Sequence, residues 1–330
     1  MKKIFCIISS RNNWILQISN ALDSLPINYK MAFLDSYNEK NRFFTKLVSK
    51  SRKRDWYLHE IENIDLRISQ YKPDILFIIN PNIPSNIMEK WKLNMRVICW
   101  MVDSIVNNKN YEILQGCENF VYEPCSKEYL ASKKIKARYC PVGYNGSYEN
   151  TNNFSEKIFD VVFVGTLYKN RKKLLIKLAE EANKRNWKLV IYGPVFKKRY
   201  FWKKIIFKLK YPALYSCIKN GTVSPKAIAS IYKQSKICLN IHDQRNKGVN
   251  PRTFEILATN SFELIDKREF YDILLPDKDI VVYDNIDNLI DKIDYYLHNE
   301  KIRENIASNG FYKVVNNRSL KNILYDILME

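Results

Sequence analysis

The sequence predicts an α/β protein of two Rossmann-like domains facing a central cleft. Apolar runs of strand length recur through both halves, helical stretches separate them, and 330 residues are too many for one ordinary core. An unbroken run such as KIFCIIS (residues 3–9) is the pattern of a strand buried on both faces. Strands of that kind joined through helices build parallel sheets.

In the first half, residues 13–25 carry helical spacing through Trp14, Ile18, Ala21 and Leu22. Residues 42–54 form a basic block with Phe43 and Phe44, and a polar helix then runs up to Tyr71. Pro73 and Asp74 introduce a second buried strand, ILFIIN (75–80), closed by the turn Asn80-Pro81-Asn82. MRVICWM (95–101) is a third, ending at Asp103-Ser104; residues 120–122 and 137–140 are two more. Residues 145–156 are polar and without pattern, which suits a linker. The expected domains are therefore 1–148 and 149–330, with the final helix able to pack back on the first. In the second half FDVVFVG (159–165), KLVIY (188–192), ICLNI (237–241) and residues 261–265 read as strands. Helices are expected over 171–184 and 225–234, and the chain from Leu289 onward reads as amphipathic helices.

The formal net charge is +19. Such a surface attracts nucleic acid, anionic membrane or phosphorylated ligands, and the total alone does not choose among them. A chain rich in Lys, Asn and Ile also acquires positive charge from composition. The seven Cys form no CxxC pair and there are three His, so neither a zinc site nor a disulfide framework is expected, and a reduced, cytosolic setting is. The apolar run before Arg11 is too short for a signal peptide, and no stretch is long enough to span a membrane.

The chemistry concentrates in residues 236–266. A buried strand leads into a basic loop (242–248), and Asn250-Pro251 then opens a helix as N-cap and first helical residue. Phe254, Leu257 and Ala258 give that helix its apolar face, and Asn260 suits a left-handed end. Strand, loop and helix N-terminus in this order form an anion site, because unpaired backbone N–H groups and the helix dipole point into the loop. Arg252 and Glu255, three apart, can face the same way: a cation for a diphosphate, a carboxylate for a ribose diol. An internal ion pair on a solvated face is the other reading.

Three loops of this half fall at the carboxyl edge of its sheet: 165–172, Thr222-Val223, and 242–255. The first runs from Gly165 and Thr166 to Arg171 and Lys172, a phosphate grip in charge or an ordinary basic first turn. The last includes His242, Asn250 and Thr253. For His242 a satisfied structural histidine is the favoured local reading. In the first half Asp103 follows an apolar strand, as a general base for a hydroxyl or as a cap. Asp277-Lys278-Asp279 has the DxD form of some metal–nucleotide sites, a triplet that also occurs by chance. The absence of GxGxxG after the first strand and of GxxxxGK[ST] argues against a dinucleotide oxidoreductase or a P-loop enzyme.

The second half resembles the group 1 glycosyltransferases, and within them the CgeB-like (spore-maturation-protein-like) branch. The matching segments run in order: DVVFVGTLYKNRKKLL (160–175), IYGP (191–194), GTVSPKAIASIYKQSKICLNIH (221–242), GVNPRTFEILATN (248–260) and IDYYLHNEKIRENIASNGFYKV (293–314). The resemblance implies a GT-B fold, a nucleotide-sugar donor held mainly by the second domain, and no metal or other cofactor. It places Glu255 at the ribose hydroxyls, Arg171, Lys172 and Arg252 at the diphosphate, and Thr222-Val223 by the base. WMVDS (100–104) resembles the segment in which related enzymes carry a catalytic or acceptor-side polar residue. Three positions depart from the pattern: Gly248 stands where many members have an acidic residue, Thr166 where arginine is frequent, and Asn260 where glycine is usual.

The reading is a metal-independent hexosyl or deoxyhexosyl transferase acting on a hydroxyl of a bacterial surface glycan or lipid-linked oligosaccharide. Two alternatives stand beside it: a basic nucleic-acid-binding protein, for which no DNA or RNA module is legible, and a GT-B sugar-nucleotide enzyme that transfers nothing. Lys197, Lys198, Arg199, Lys203, Lys204, Lys208 and Lys210 alternate with aromatic and aliphatic residues, and as a helix this segment suits an anionic membrane surface. Peripheral binding to the inner face of the cell membrane and a solvated basic helix of a cytoplasmic protein both remain open.

Overall fold

The structure, a computed structural model, describes residues 1–8, 14–34, 50–106, 110–148, 156–196, 201–242, 247–270 and 273–329. Most of the expected basic block at 42–54, the cations at 197–199 and residues 243–246 of the basic loop lie outside the described residues. Contacts divide the chain into two compact units, Met1–Val142 with Leu320–Glu330, and Gly143–Ser319.

The first unit runs β1 (Lys3–Ile8), α1 (Trp14–Asp23), β2 (Asn28–Phe33), α2 (Lys50–Tyr71), β3 (Ile75–Ile79), α3 (Ser85–Asn94), β4 (Arg96–Met101), β5 (Glu118–Val121), α4 (Pro124–Ser132) and β6 (Arg138–Tyr139). Its six strands are all parallel, in the order β2-β1-β3-β4-β5-β6. Alternation along β1 divides the core: Ile4, Cys6 and Ile8 join one apolar cluster, Phe5 and Ile7 the other. Both faces are buried, which is why these strands read as unbroken apolar runs.

The second unit contains β7 (Phe159–Val164), α5 (Lys169–Lys184), β8 (Leu189–Gly193), α6 (Phe201–Lys210), α7 (Pro212–Cys217), β9 (Ile218–Asn220), α8 (Pro225–Lys233), β10 (Ser235–Asn240), α9 (Pro251–Ala258), β11 (Glu263–Asp266), β12 (Val281–Tyr283), α10 (Ile286–His298) and α11 (Glu300–Val315). Its sheet is also six-stranded and parallel, ordered β12-β11-β10-β7-β8-β9. The chain builds outward from β7 through β8 to β9, then returns to the other side of β7 with β10. The order therefore reverses between β7 and β10, and the crevice beyond their carboxyl ends is where such sheets bind ligands. In the first sheet the reversal lies between β1 and β3.

The last helix, α12 (Leu320–Met329), belongs to the first unit. Leu320, Ile323, Leu324, Ile327 and Leu328 follow helical spacing and are buried in the cluster that holds Ile18 and Leu22 of α1.

Candidate functional site

The site starts from α9. Phe254, Ile256, Leu257 and Ala258 are buried, so the helix is pinned by its apolar side with its first turn at the β7–β10 crevice. Asn260, at φ 52°, ends it in the left-handed region. Asn250 is the N-cap and Pro251 follows at the first helical position, but the Asn250 side chain caps nothing. It exchanges hydrogen bonds of 3.1 Å with Asn240 at the end of β10. Its backbone N–H is instead accepted by His242 Nε2 at 2.9 Å.

His242 is 2% exposed, and its Nδ1 lies 2.8 Å from Asp266 Oδ1. Burial lowers its pKa against the opposing pull of Asp266, so the ring is neutral, with Nδ1–H donating and Nε2 accepting. Burial works the other way on Asp266, yet hydrogen bonds from His242 and Arg268 hold its pKa low. His242 is thus a strut between β11 and the start of α9, in line with the satisfied structural histidine.

Beneath α9 is a buried polar network. Glu263 Oε1 accepts from Asn240 Nδ2 at 2.7 Å and from Thr253 Oγ1 at 3.0 Å, and all three residues are fully buried. Glu263 Oε2 has no partner among the described residues, and burial lifts the carboxyl pKa to about 8 despite those two bonds. Thr253 therefore faces the core and not the crevice.

Arg252 and Glu255 remain on the first turns of α9, both half-buried. Among the described residues no ion pair closes between them; Arg252 Nη1 lies 3.4 Å from Asn240 Oδ1. The guanidinium stands over the end of β7, with Nη2 3.3 Å from where a Cβ on Gly165 would be. Gly165 has φ 157°, and a Cβ on Gly193 would come within 2.2 Å of its carbonyl oxygen, so the ends of β7 and β8 approach closely through two glycines. Burial raises the Glu255 pKa, against the attraction of Arg252 and a hydrogen bond from Tyr148. Tyr148, 2% exposed in a 3-10 turn at Gly146–Tyr148, comes beside that carboxylate from a segment far away in sequence.

The remaining residues of the expected grip are placed differently. Arg171 is 7% exposed; its Nε donates to Ile241 O at 2.7 Å and its Nη1 to Thr166 O at 3.2 Å. It ties the loop after β7 to the end of β10. Lys172 Nζ lies 4.9 and 4.3 Å from the ring centres of Phe207 and Tyr211, toward α6. The three-cation grip is thus reduced to Arg252 at the crevice. Thr222 is exposed and Val223 half-buried, beyond the end of β9, where Ser224 caps α8 by accepting from Ala227 N–H. Asp279 of the DxD triplet is buried and accepts from Leu275 N–H at 2.9 Å, a turn and not a ligand set.

In the first unit Asp103 stands exposed just beyond β4. Asn80, at φ 52° after β3, holds it: Nδ2 donates to Asp103 Oδ2 at 2.7 Å, while Oδ1 accepts from the backbone N–H groups of Val102 at 2.8 Å and Asp103 at 3.3 Å. Both line a pocket of about 230 Å³ with Asn82, Ser104 and Asn110. Tyr148, Asn240, Glu263 and Asn80 were not singled out by sequence, although Asn240 and Glu263 carry a readable signal as polar residues inside apolar strands.

Residues 171–328, slightly under half of the chain, match a family model described as glycosyl transferase-like. No curated protein sequence matches. Among solved structures, a glycosyltransferase from Rickettsia africae is similar at 15% identity and TM-score 0.72, covering 99% of this chain and 97% of that one. Sucrose-phosphate synthase from Thermosynechococcus elongatus is similar at 12% identity and TM-score 0.69, over 99% and 97%. Anabaena HepE in complex with UDP and glucose is similar at 10% identity and TM-score 0.67, over 100% and 99%. HepE is also known with UDP-glucose bound. Identities this low establish the fold. The chain has the GT-B fold of two Rossmann-like domains, and it is glycosyl transferase-like over residues 171–328.

Proposed function

We propose that the protein is a glycosyltransferase that moves a sugar from a nucleotide-sugar donor to a hydroxyl acceptor. The observation that carries this is the pair Arg252 and Glu255, presented by the N-terminal turns of α9 at the switch point of the second sheet, with Gly165 and Gly193 clearing the backbone beside them. Arg252 and the helix N-terminus suit a diphosphate; Glu255, oriented by Tyr148, suits the two hydroxyls of a ribose. Charge-assisted bonds of this kind contribute about 1.5–3 kcal/mol each, so a few supply much of the roughly 8 kcal/mol of a micromolar complex. The UDP and UDP-glucose complexes of HepE, a protein of the same fold, favour a uridine nucleotide.

On this reading the leaving diphosphate stays against Arg252 and α9 as the bond from its oxygen to the sugar C1 breaks. The acceptor oxygen forms the new bond to C1, and Asp103 takes its proton. Asn80 holds one carboxylate oxygen and the local backbone, leaving the other oxygen for that proton. Cationic and dipolar groups stabilise the leaving charge, so we assign no metal to the step. The acceptor we propose is a surface glycan or a lipid-linked oligosaccharide, since many bacterial glycosyltransferases act on lipid-linked acceptors.

A thermal-shift screen against UDP, GDP, dTDP and CMP tests the binding half, since a ligand of the folded state raises its Tm. Product analysis with the stabilising nucleotide's sugar donor, with and without acceptors, then separates transfer from isomerisation of the donor. No stabilisation by any nucleotide would remove the reading.

A further inference from the structure

The helix α6 is attached to its unit by the unexpected side. Trp202, Ile205, Ile206 and Leu209 follow the spacing i, i+3, i+4, i+7 that collects side chains on one face. That stripe ordinarily packs on a core. Here its members are 49%, 54%, 55% and 78% exposed. The helix is held from the opposite side by Phe207, whose ring centre lies 5.1 Å from Phe196 and 5.3 Å from Tyr211. At about 100° per residue, Lys203 and Lys210 border one edge of the stripe and Lys208 the other, while Lys204 falls on the far side with Phe207, its Nζ 5.9 Å from the Tyr215 ring centre. The helix contains no acidic residue.

We propose that α6 docks the protein on an anionic lipid bilayer, lying in the interface with its apolar stripe at the acyl boundary and its lysines among the headgroups. A contiguous stripe of four large apolar side chains in water marks an interaction surface, unlike single exposed leucines. Trp202 suits the headgroup level, and lysine stems cover apolar surface while their charges reach lipid phosphate. Ten residues are too short to cross a membrane, and no described helix is long and apolar enough to do so, so the helix lies on the surface. The charge pattern selects lipid over the other occupants. A second copy would set lysines against lysines with no acid in α6 to answer them. A nucleic acid would meet the cations and leave the stripe in water. The net charge of +19 adds a long-range attraction to the same surface. This inference stands apart from the transfer reaction and does not need it.

The test is co-sedimentation of the full chain with vesicles of phosphatidylcholine alone, or with a quarter of phosphatidylglycerol added. Wild type is expected to pellet with the anionic vesicles and stay in solution with the neutral ones. Ile206→Asp with Leu209→Asp, both at exposed positions, should lower binding at least about tenfold with unchanged Tm. Lys203→Gln with Lys210→Gln, at the edge of the stripe, should cost about fivefold per lysine. Lys301→Gln with Lys313→Gln, which remove the same charge from α11, should change little. Three results would overturn the proposal: no binding to anionic vesicles, wild-type binding by the stripe variant, or equal losses from both lysine pairs. A dimer in sedimentation equilibrium that the stripe variant dissociates would likewise overturn it and make the face a contact between copies.

Discussion

At the carboxyl edge of the first sheet, a carboxylate in water, Asp103, is aimed by Asn80 through bonds to its side chain and its backbone N–H. At the edge of the second, Glu263 is fully buried and Glu255 half-buried, and burial raises the pKa of both, while Asp266 is kept low by His242 and Arg268. The first edge fixes direction at an exposed side chain. The second fixes charge state through neighbours, because in a low-dielectric setting a carboxylate without partners is costly. Substitutions at the two edges should therefore fail in different ways.

The largest contrast is expected at Asp103. Asp103→Asn should reduce turnover by about 10²–10⁴ and leave nucleotide affinity as it was, as single-turnover kinetics and calorimetry would show. Unchanged turnover would return Asp103 to a cap. Next comes Gly193→Ala, whose Cβ meets the Gly165 carbonyl. It should destabilise the fold by about 1–3 kcal/mol or more in urea unfolding, and wild-type stability would mean that the β7–β8 ends are looser than described. Glu255→Ala should weaken nucleotide binding by about 1–3 kcal/mol in calorimetry while the variant stays folded. Wild-type affinity in that variant would falsify the ribose assignment. Binding a diol favours the ionised carboxylate, so affinity should also rise with pH as Glu255, whose pKa is raised above 4.5, loses its proton.

Glu263 sharpens the comparison through stability. Its folded pKa of about 8 lies above the ordinary 4.5, so the folded state favours the proton more than the unfolded chain does. The stability it contributes is complete below about pH 4.5 and is lost as pH rises toward about 8, with a slope of at most about 1.4 kcal/mol per pH unit. Glu263→Gln should flatten that decline in Tm between pH 5 and 8; an identical decline in both proteins would assign it elsewhere. The smallest effect belongs to Tyr148→Phe, about 0.5–1.5 kcal/mol of nucleotide affinity, since the ring stays and one hydrogen bond goes. An affinity equal to wild type there would show that Glu255 needs no orienting partner.

The sheets were largely legible because strands buried on both faces, such as residues 75–79 and 237–239, are unbroken apolar runs. β2 was not: in this edge strand, NYKMAF, exposed Asn28 and Lys30 alternate with half-buried Tyr29 and Met31, and that signature is missing. The three-residue strands β9 and β12 are too short to carry any period. At the site, the helix start at Asn250-Pro251 and the facing of Arg252 and Glu255 followed from local rules. The fates of Arg171 and Lys172 did not, because they are set by Ile241 and by the rings of Phe207 and Tyr211, partners brought near only by the fold. Asn250 shows the same limit: its type suits a cap, yet Asn240 and His242 occupy the groups that would have made one.

The return of α12 to the first unit gives biosynthesis an order. Residues 143–319 are all translated before α12, so the unit begun second is the first whose residues are complete. Until Leu320 to Leu328 emerge, the nascent first unit exposes the apolar surface around Ile18 and Leu22 that α12 covers. A chain stopped at residue 319 keeps its second unit whole and leaves its first with an uncovered core, a ready target for chaperones and proteases.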